Sequence, residues 1–453
     1  MTTRQTLKLL RDYESRNITF LDSDGSWPIV WERARGVHIW DAEGRKYLDL
    51  TAAFGVAAAG HANPRVVRAG QKQMARLLHA MGDVHPHLLK AQLARELSAL
   101  TFERWTAQKS ILLRQKHYGG REIQSPKSKV VRHWGKTILA NSGFEAVEAA
   151  LKTAALATGK SGIIAFTGAY HGLGYGALNA THREHFRGPF LGQLREFGSF
   201  VPFPTRGEEM ASVSKRITAL LSKRKIGAIL VEPIQVRGGV NIPPPGFLPA
   251  LRKICDHFGA LLILDEIYTG FGRTGKWFAC EHSSTIPDLI CLGKALTGGF
   301  PLSACIGRAD IMDAAWPLSE GEAIHTSTFL GHPVGCAMAL AEIQEIKRLD
   351  LVRRSAVRGD LLLRLLKSEI SNSKFEMQIR GAGLLVGLEL RLRRGGPAFS
   401  ATLDVVKMML KKGYILLPEG EYSNVIGFTP PLIINQSELT RVVDALSECI
   451  ASV

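Results

Sequence analysis

The sequence has no long apolar run, and this excludes several classes of protein. No stretch of its 453 residues approaches the roughly 20 apolar residues that a membrane-spanning helix needs. The first residues, Met1–Gln5, lack the apolar core of a secretory signal peptide, so we expect no export. The six cysteines show no paired spacing, which favours free thiols in a reducing compartment over a disulfide framework. We therefore expect a cytoplasmic protein without membrane segments.

Acidic residues are also scarce, because 41 Asp and Glu stand against 57 Lys and Arg and the net charge is +16. An excess of this size can indicate a nucleic-acid partner. Much of it is local, however, since residues 107–136 hold eight basic residues and one acid. No nucleic-acid motif accompanies that segment, so we interpret it as a solvated basic loop. We expect no nucleic-acid partner and no metal site.

Two apolar segments end in chemically suggestive turns. Residues 260–264 are long enough for a buried strand and too short for a helix, and Asp265 follows them directly. Residues 288–292 also predict a buried strand, and the Gly-rich turn after it contains Lys294. Open α/β sheets carry their chemistry at the carboxyl ends of strands. Taken singly, an Asp-Glu pair is more often a helix cap or a metal ligand, and a lone lysine is usually solvated.

Together, an aspartate at one strand end and a lysine at another suit pyridoxal phosphate (PLP). This cofactor needs a lysine for its Schiff base and an acid that keeps its ring nitrogen protonated. A short strand at 137–140 also leads into a helix that Asn141 or Ser142 would cap. A helix N-terminus with a Ser-Gly entry offers amides to a phosphate, although a plain cap explains it equally well.

In these stretches the chain resembles the class III (ω-amino-acid, ornithine-type) aminotransferases of PLP fold type I, from about Gly36 to Ala445. The shared motifs are D-x-x-G-x-x-Y-L-D at 41–49, G-H-x-x-P at 60–64, Y-H-G at 170–172, T-F-x-G-H-P at 328–333 and R-G-x-G-L at 380–384. The resemblance implies an α/β fold with a mostly parallel seven-stranded sheet flanked by helices, plus a smaller α+β domain from both chain ends. We predict an N-terminal segment at 1–60 that joins the small domain, a large PLP-binding domain at 61–333 and a C-terminal small domain at 334–453. A basic insertion of about 25 residues, at about 108–133, interrupts the resemblance, and no mechanism is assigned to it.

The resemblance also assigns roles to individual residues. Lys294 would carry the cofactor, Asp265 would pair with its ring nitrogen, and Tyr170 and Ile267 would cover its two faces. Tyr268 stands where the family commonly has Gln, beside the cofactor's 3′-oxygen. The full set of residues implied at the cofactor is Ser142, Gly143, Phe144, Tyr170, His171, Glu232, Asp265, Ile267, Tyr268, Lys294 and Thr328. In the family the threonine at 328 reaches the phosphate of the partner subunit, which implies a homodimer with shared active sites.

Substrate recognition departs from the family pattern. The arginine that grips a substrate carboxylate is replaced by Gly427, and the glutamate that pairs with it is replaced by Arg237. One hypothesis is that Arg237 binds the carboxylate from the opposite wall, since a guanidinium binds it bidentately. The alternative is that Arg237 pairs with an acid such as Glu419 or Glu421 and that the substrate is mainly an amine. By the same resemblance Phe54 lines the substrate pocket, although an ordinary core aromatic is an equal alternative.

The sequence therefore predicts a PLP-dependent aminotransferase that moves an amino group from an amine or amino acid to a 2-oxo acid or aldehyde by a ping-pong mechanism. The first alternative is another PLP reaction on the same scaffold, namely racemisation or epimerisation, aminomutation or decarboxylation. The second is a non-catalytic PLP-fold binding protein. Against that last interpretation, the chain retains the full set of Lys294, Asp265, Tyr170 and Thr328.

Overall fold

The computed structural model describes residues 1–22, 27–108, 134–223, 225–370 and 374–453. The strands, labelled β1–β15 in chain order, are Trp31–Arg35, His38–Asp41, Lys46–Asp49, Gly135–Ala140, Gly162–Phe166, Gly198–Val201, Ile226–Val231, Leu261–Asp265, Leu289–Leu292, Ser303–Arg308, Phe375–Ala382, Leu385–Leu392, Tyr414–Ile415, Leu417–Glu419 and Val425–Phe428. The α-helices with both ends in the described ranges are Thr3–Tyr13, Ala52–Gly55, Pro64–Arg76, Leu88–Ser98, Gly143–Thr158, Tyr175–Leu178, Glu184–Arg187, Met210–Lys223, Phe247–Phe258, Ala309–Ala315, Pro333–Arg348, Leu351–Glu369, Phe399–Lys411 and Gln436–Ser452.

The large sheet has seven strands in the order β4-β10-β9-β8-β7-β5-β6. Every pairing in it is parallel except those that β10 makes with β4 and β9. Its central strands are buried along their whole length, as helices on both faces require, and this is why they read as continuous apolar runs. The predicted mostly parallel seven-stranded sheet is confirmed.

Two four-stranded sheets lie outside the large one, in the orders β1-β2-β3-β13 and β11-β12-β15-β14. The first joins the two ends of the chain, because β3 pairs in parallel with β13. The D-x-x-G-x-x-Y-L-D motif lies in a hairpin, the antiparallel pair β2 and β3. The domain boundaries at 60 and 333 stay a prediction.

The helix Phe247–Phe258 packs beside the central strands through one buried face. Its first residues and the following turns place Phe247, Leu248, Leu251 and Cys255 on one buried face. It ends at Gly259, whose φ of 61° is the left-handed cap that glycine adopts without steric cost. The burial of that face holds the helix against the sheet behind β8.

The basic insertion predicted at about 108–133 lies outside the described residues apart from Gln108. All six cysteines are buried and unpaired, as the sequence predicts. None of the helices in the described ranges combines the length and the apolarity that crossing a membrane would take.

Candidate active site

Lys294 begins a short 3₁₀ turn directly after β9 and has a φ of 43°, in the left-handed region. Its Nζ lies 4.5 Å from the centroid of the Tyr268 ring and, within the described ranges, has no hydrogen-bond or ion-pair partner. Desolvation lowers the pKa of this ammonium group, and the charges of Asp265 and Glu232 act in the opposite direction. An amine in this environment is easier to deprotonate than a solvated lysine.

Asp265 is the last residue of β8 and is 5% exposed. Its Oδ2 lies 2.7 Å from His171 Nδ1, and its Oδ1 accepts a hydrogen bond of 3.1 Å from the Ile267 amide. Both carboxylate oxygens are therefore held, and the orientation of the carboxylate is fixed. The other nitrogen of the imidazole, His171 Nε2, is buried without a partner among the residues described.

The segment that carries His171 is itself braced by Thr181, a residue that the sequence analysis missed. The hydroxyl of Thr181 accepts a hydrogen bond of 2.9 Å from the His171 amide and donates one of 2.8 Å to the Gly172 carbonyl. Thr181 belongs to none of the quoted motifs. The imidazole is thus fixed from its own backbone as well as by Asp265.

The predicted phosphate-binding turn is the N-terminus of the helix Gly143–Thr158. The Glu145 carboxylate accepts hydrogen bonds from the Ser142 amide at 2.7 Å and from the Ser142 hydroxyl at 2.9 Å. The amides of Gly143 and Phe144 lie in the first turn, where no earlier helical carbonyl is available to them. They are the backbone donors that an anion could use here.

Glu232 follows β7 and is buried beside this group. Its Oε1 accepts a hydrogen bond of 3.1 Å from the Tyr170 amide, and its Oε2 accepts one of 3.3 Å from the Val236 amide. Burial raises the pKa of Glu232 to about 7; the nearby Asp265 adds to the rise and His171 opposes it. Its hydrogen bonds fix the segment that bears Tyr170.

The Tyr268 hydroxyl has a hydrogen-bond partner within the protein. The hydroxyl lies 3.2 Å from Thr429 Oγ1, which in turn donates to the Thr51 carbonyl at 3.0 Å. The face of the ring, rather than the hydroxyl, is directed at Lys294. Burial raises the pKa of this phenol, so it stays protonated and able to donate. The predicted position of Tyr268 beside the cofactor's 3′-oxygen stays a prediction, and a hydrogen bond from the hydroxyl to that oxygen would compete with Thr429.

These groups surround one cavity of about 480 Å³, a volume within the range of small-molecule sites. Most of the residues that the sequence predicts at the cofactor line it. They are Gly143, Phe144, Tyr170, His171, Glu232, Asp265, Ile267, Tyr268 and Lys294. The cavity is also lined by Gly172, Leu173, Ile234, Arg237 and Thr269. Ser142 is the N-cap of the helix that begins at Gly143 and is not itself among the lining residues.

Two predicted residues lie elsewhere. Phe54 is 50% exposed and Thr328 is exposed on a turn, and neither contributes to the cavity lining in the described part of this chain. Their predicted roles at the substrate and at the phosphate of a partner subunit stay predictions.

Arg237 lies on the cavity wall and pairs with Glu419, whose Oε2 is 3.0 Å from Arg237 Nη1. This is the ion pair that the second hypothesis required. Glu419 is 5% exposed, whereas the side chain of Arg237 is 28% exposed and in contact with the cavity. The pair alone does not decide between the two hypotheses, because it occupies one nitrogen of the guanidinium.

Comparison with known proteins identifies the family. Residues 21–450 match the model of the class III aminotransferases. The chain belongs to this family. It is 34% identical over 424 residues to an acetylornithine aminotransferase of Methanosarcina mazei, covering 94% of this chain and 92% of that protein. A 5-aminovalerate aminotransferase of Pseudomonas aeruginosa is 35% identical, with 93% of each chain covered. A putrescine aminotransferase of Pectobacterium atrosepticum is 34% identical, with 97% and 87% covered.

Solved structures agree with this assignment. The aminotransferase matches an aminotransferase of Bacillus anthracis with a TM-score of 0.85 and 27% identity, over 99% of both chains. It matches the ornithine aminotransferase of Toxoplasma gondii with a TM-score of 0.81 and 26% identity, over 99% of this chain and 95% of that one. The protein is therefore an enzyme, a class III transaminase with the type I fold, in a family that depends on PLP.

Proposed function

We propose that this transaminase binds PLP on Lys294 and transfers an amino group from an amine or amino acid, including ω-amino compounds, to a 2-oxo acid or aldehyde. The observation that carries the proposal is that Lys294 and the doubly held carboxylate of Asp265 line the same cavity. A ping-pong order follows, because donor and acceptor would use this cavity in turn.

The residues present fit the cofactor. The amine of Lys294 lines the cavity without a protein partner, and the first-turn amides at 143 and 144 line the same cavity. Glycine at 172 permits a close approach, since an added Cβ there would lie 2.3 Å from Phe144 Cβ. Tyr170 and Ile267 supply an aromatic ring and a branched aliphatic side chain to the lining, as flanking a planar ring requires.

When bound, PLP supplies an electron sink for the carbon that bears the amino group. Asp265 would hold a proton on the ring nitrogen, and its own orientation is maintained by His171. The Nζ of Lys294 would accept and return the proton of the substrate carbon, a role that its lowered pKa favours. The role of the protein is therefore to place one base, Lys294, and one held carboxylate, Asp265, in the same cavity.

The substrate class rests on the relatives and on the cavity wall. The relatives' names refer to acetylornithine, 5-aminovalerate and putrescine, all of which carry an amine at the end of a chain. We propose a donor of that type. The acceptor's carboxylate needs a cation, and Arg237 is the arginine in contact with the cavity in the described chain. We propose that it binds that carboxylate and that Phe54 also lines the substrate pocket.

The assembly and location are further parts of this proposal. Exposed Thr328 supports a homodimer in which each subunit completes the other's phosphate site. The chain-end sheet that joins β3 to β13 supports a small domain built from residues 1–60 and 334–453. Six buried, unpaired thiols support a reducing compartment such as the cytoplasm.

Replacement of the catalytic lysine tests the function. Lys294→Ala removes the base, and we expect amino transfer to fall by roughly 10²–10⁴-fold or more. Lys276→Ala is the matched control, because Lys276 is an exposed lysine in the same region of the chain and does not line the cavity. The measurement is product formation from a panel of ω-amines with a 2-oxo acid. A Lys294→Ala enzyme with wild-type turnover would refute the assignment.

A further inference from the structure

The ion pair between Arg237 and Glu419 also bears on how an anionic substrate binds. The backbone holds the two residues together, since the Gly420 amide donates a hydrogen bond of 3.2 Å to the Arg237 carbonyl. Two carbonyls that follow Arg237 accept hydrogen bonds from Arg380, at 2.6 Å for Gly239 and 3.0 Å for Val240. The segment that carries the guanidinium is therefore fixed against the strand that carries its partner.

The position of the Glu419 side chain depends on Gly427. An added Cβ at 427 would lie 3.0 Å from Glu419 Cγ, a tighter approach than packed side chains normally make. The two residues lie on neighbouring strands, β14 and β15, and line a small space behind the main cavity together with Tyr268. The missing side chain at Gly427 thus leaves the space that the Glu419 side chain occupies.

The Arg237 guanidinium has N–H donors that none of the described residues accepts from. A guanidinium has five N–H donors in a rigid plane, and Glu419 takes one through Nη1. Within the described ranges no other partner of this side chain is found, 28% of it is exposed, and Arg237 is one of the residues that line the cavity. A carboxylate can therefore bind the Nη2 and Nε edge in the usual bidentate manner. The existing pair does not have to open.

A bound carboxylate would then share one guanidinium with Glu419. Two carboxylates at close range cannot both stay ionised easily, and one of them takes up a proton. Burial already raises the pKa of Glu419, against the opposing charges of Arg237, Arg183 and Lys294. The other ionisable groups nearby are the phenols of Tyr268 and Tyr170 and exposed Glu421. Glu419 is only 5% exposed, so we expect it, rather than the bound carboxylate, to take up the proton.

We propose that an anionic substrate binds the Nη2 and Nε atoms of Arg237 while Glu419 stays paired with Nη1. We also propose that Glu419 takes up one proton when the substrate binds. Glu419 is then a specificity-determining residue, because at high pH its charge disfavours anionic substrates and leaves uncharged amines unaffected. The inference rests on the proposed function of Arg237 and deepens it. It needs no chemistry at Lys294 and can be tested by binding alone.

The test is calorimetric titration of the PLP-loaded enzyme with glutarate, a dicarboxylate that carries no amino or oxo group to react. Titrations in two buffers of different ionisation enthalpy give the number of protons taken up, between pH 6.5 and 8.5. For the wild type we expect uptake approaching one proton and an affinity that weakens by up to about tenfold per pH unit. For Glu419→Gln we expect no uptake, a flat pH profile and tighter binding at pH 8.5. Glu421→Gln, the exposed neighbour, should behave as the wild type.

Each other result overturns the proposal. Glutarate binding without proton uptake in the wild type would refute the proton coupling alone, a result that does not depend on any variant folding. Equal uptake in Glu419→Gln would assign the proton to another group such as Lys294. Failure of glutarate to bind, or unchanged binding in Arg237→Gln, would refute the carboxylate site on Arg237 as well. None of these outcomes bears on whether Lys294 catalyses amino transfer.

Discussion

Glu342 supports the catalytic turn from the helix Pro333–Arg348, and its burial makes a specific prediction about stability and pH. It is 1% exposed and accepts a hydrogen bond of 2.9 Å from the Ala59 amide. An added Cβ at Gly298, four residues after Lys294, would lie 2.8 Å from its Oε2. Burial, with a smaller contribution from Glu345, raises the pKa of Glu342 from 4.5 to about 8.

The folded protein therefore holds a proton on Glu342 that the unfolded chain releases above pH 4.5. This group contributes its full stability below pH 4.5, and that contribution is lost as the pH rises to about 8. The rise is 8 − 4.5 = 3.5 pKa units, so at most about 5 kcal/mol is lost, at about 1.4 kcal/mol per unit. Glu342→Gln keeps the shape and an acceptor for Ala59 but cannot ionise. We expect it to be more stable than the wild type at pH 9 and nearly equal at pH 5.

Urea unfolding of wild type and variant at both pH values measures this difference. Glu345→Gln is the matched control, one turn away on the same helix. The pKa of Glu345 is lowered, chiefly by its hydrogen bond to Arg348. The charged carboxylate of Glu345 therefore stabilises the fold, and its removal should destabilise the protein at pH 9. A Glu342→Gln protein that is equally destabilised at pH 5 and pH 9 would refute the reasoning about the buried proton.

Three further predictions concern the cavity. Asp265→Asn removes the fixed negative charge, and kcat for amino transfer should fall by roughly 10²–10³-fold. Circular dichroism should show that the fold is unchanged. A near-normal kcat would contradict the role of Asp265 at the ring nitrogen. Gly172→Ala places a Cβ 2.3 Å from Phe144 Cβ, at a backbone φ of 105°. The affinity for PLP, measured by absorbance titration, should therefore fall by about tenfold or more. Unchanged affinity would mean that this turn does not shape the phosphate site. Tyr268→Phe loses the hydrogen bond to Thr429 and should cost about 1 kcal/mol in urea unfolding; a loss of turnover far beyond that destabilisation would show instead that the hydroxyl acts at the cofactor.

Much of the fold could be predicted because its central strands are apolar without interruption. The strands that end at Asp265 and shortly before Lys294 follow directly from that pattern. The site could also be predicted, because parallel strands bring their carboxyl ends to one edge of the sheet and so bring those two residues to one cavity. The motif residues at 143, 170 and 171 line the same cavity.

What could not be predicted depends on contacts between distant parts of the chain. Arg237 and Glu419 are 182 residues apart, and the sequence left Glu419 and Glu421 as equal partners. The choice is made by the pairing of β14 with β15, which directs one acid inward beside Gly427. Thr181 and Thr429 were missed for the same reason, because a single hydroxyl in a loop or strand end carries no periodic signal. The direction of the Tyr268 hydroxyl likewise depends on Thr429, which no local pattern connects to it.

The transfer of nitrogen is the central claim, and isotopic labelling tests it most directly. The PLP-loaded enzyme is incubated with an ω-amine whose amino nitrogen is labelled and with an unlabelled 2-oxo acid, and mass spectrometry follows the label. The account predicts that the label appears in the amino acid formed from the 2-oxo acid, and that Lys294→Ala abolishes this transfer. If no donor in the panel passes its nitrogen on, while amino acids exchange their α-proton or lose carbon dioxide, the enzyme performs another PLP reaction and the account is wrong.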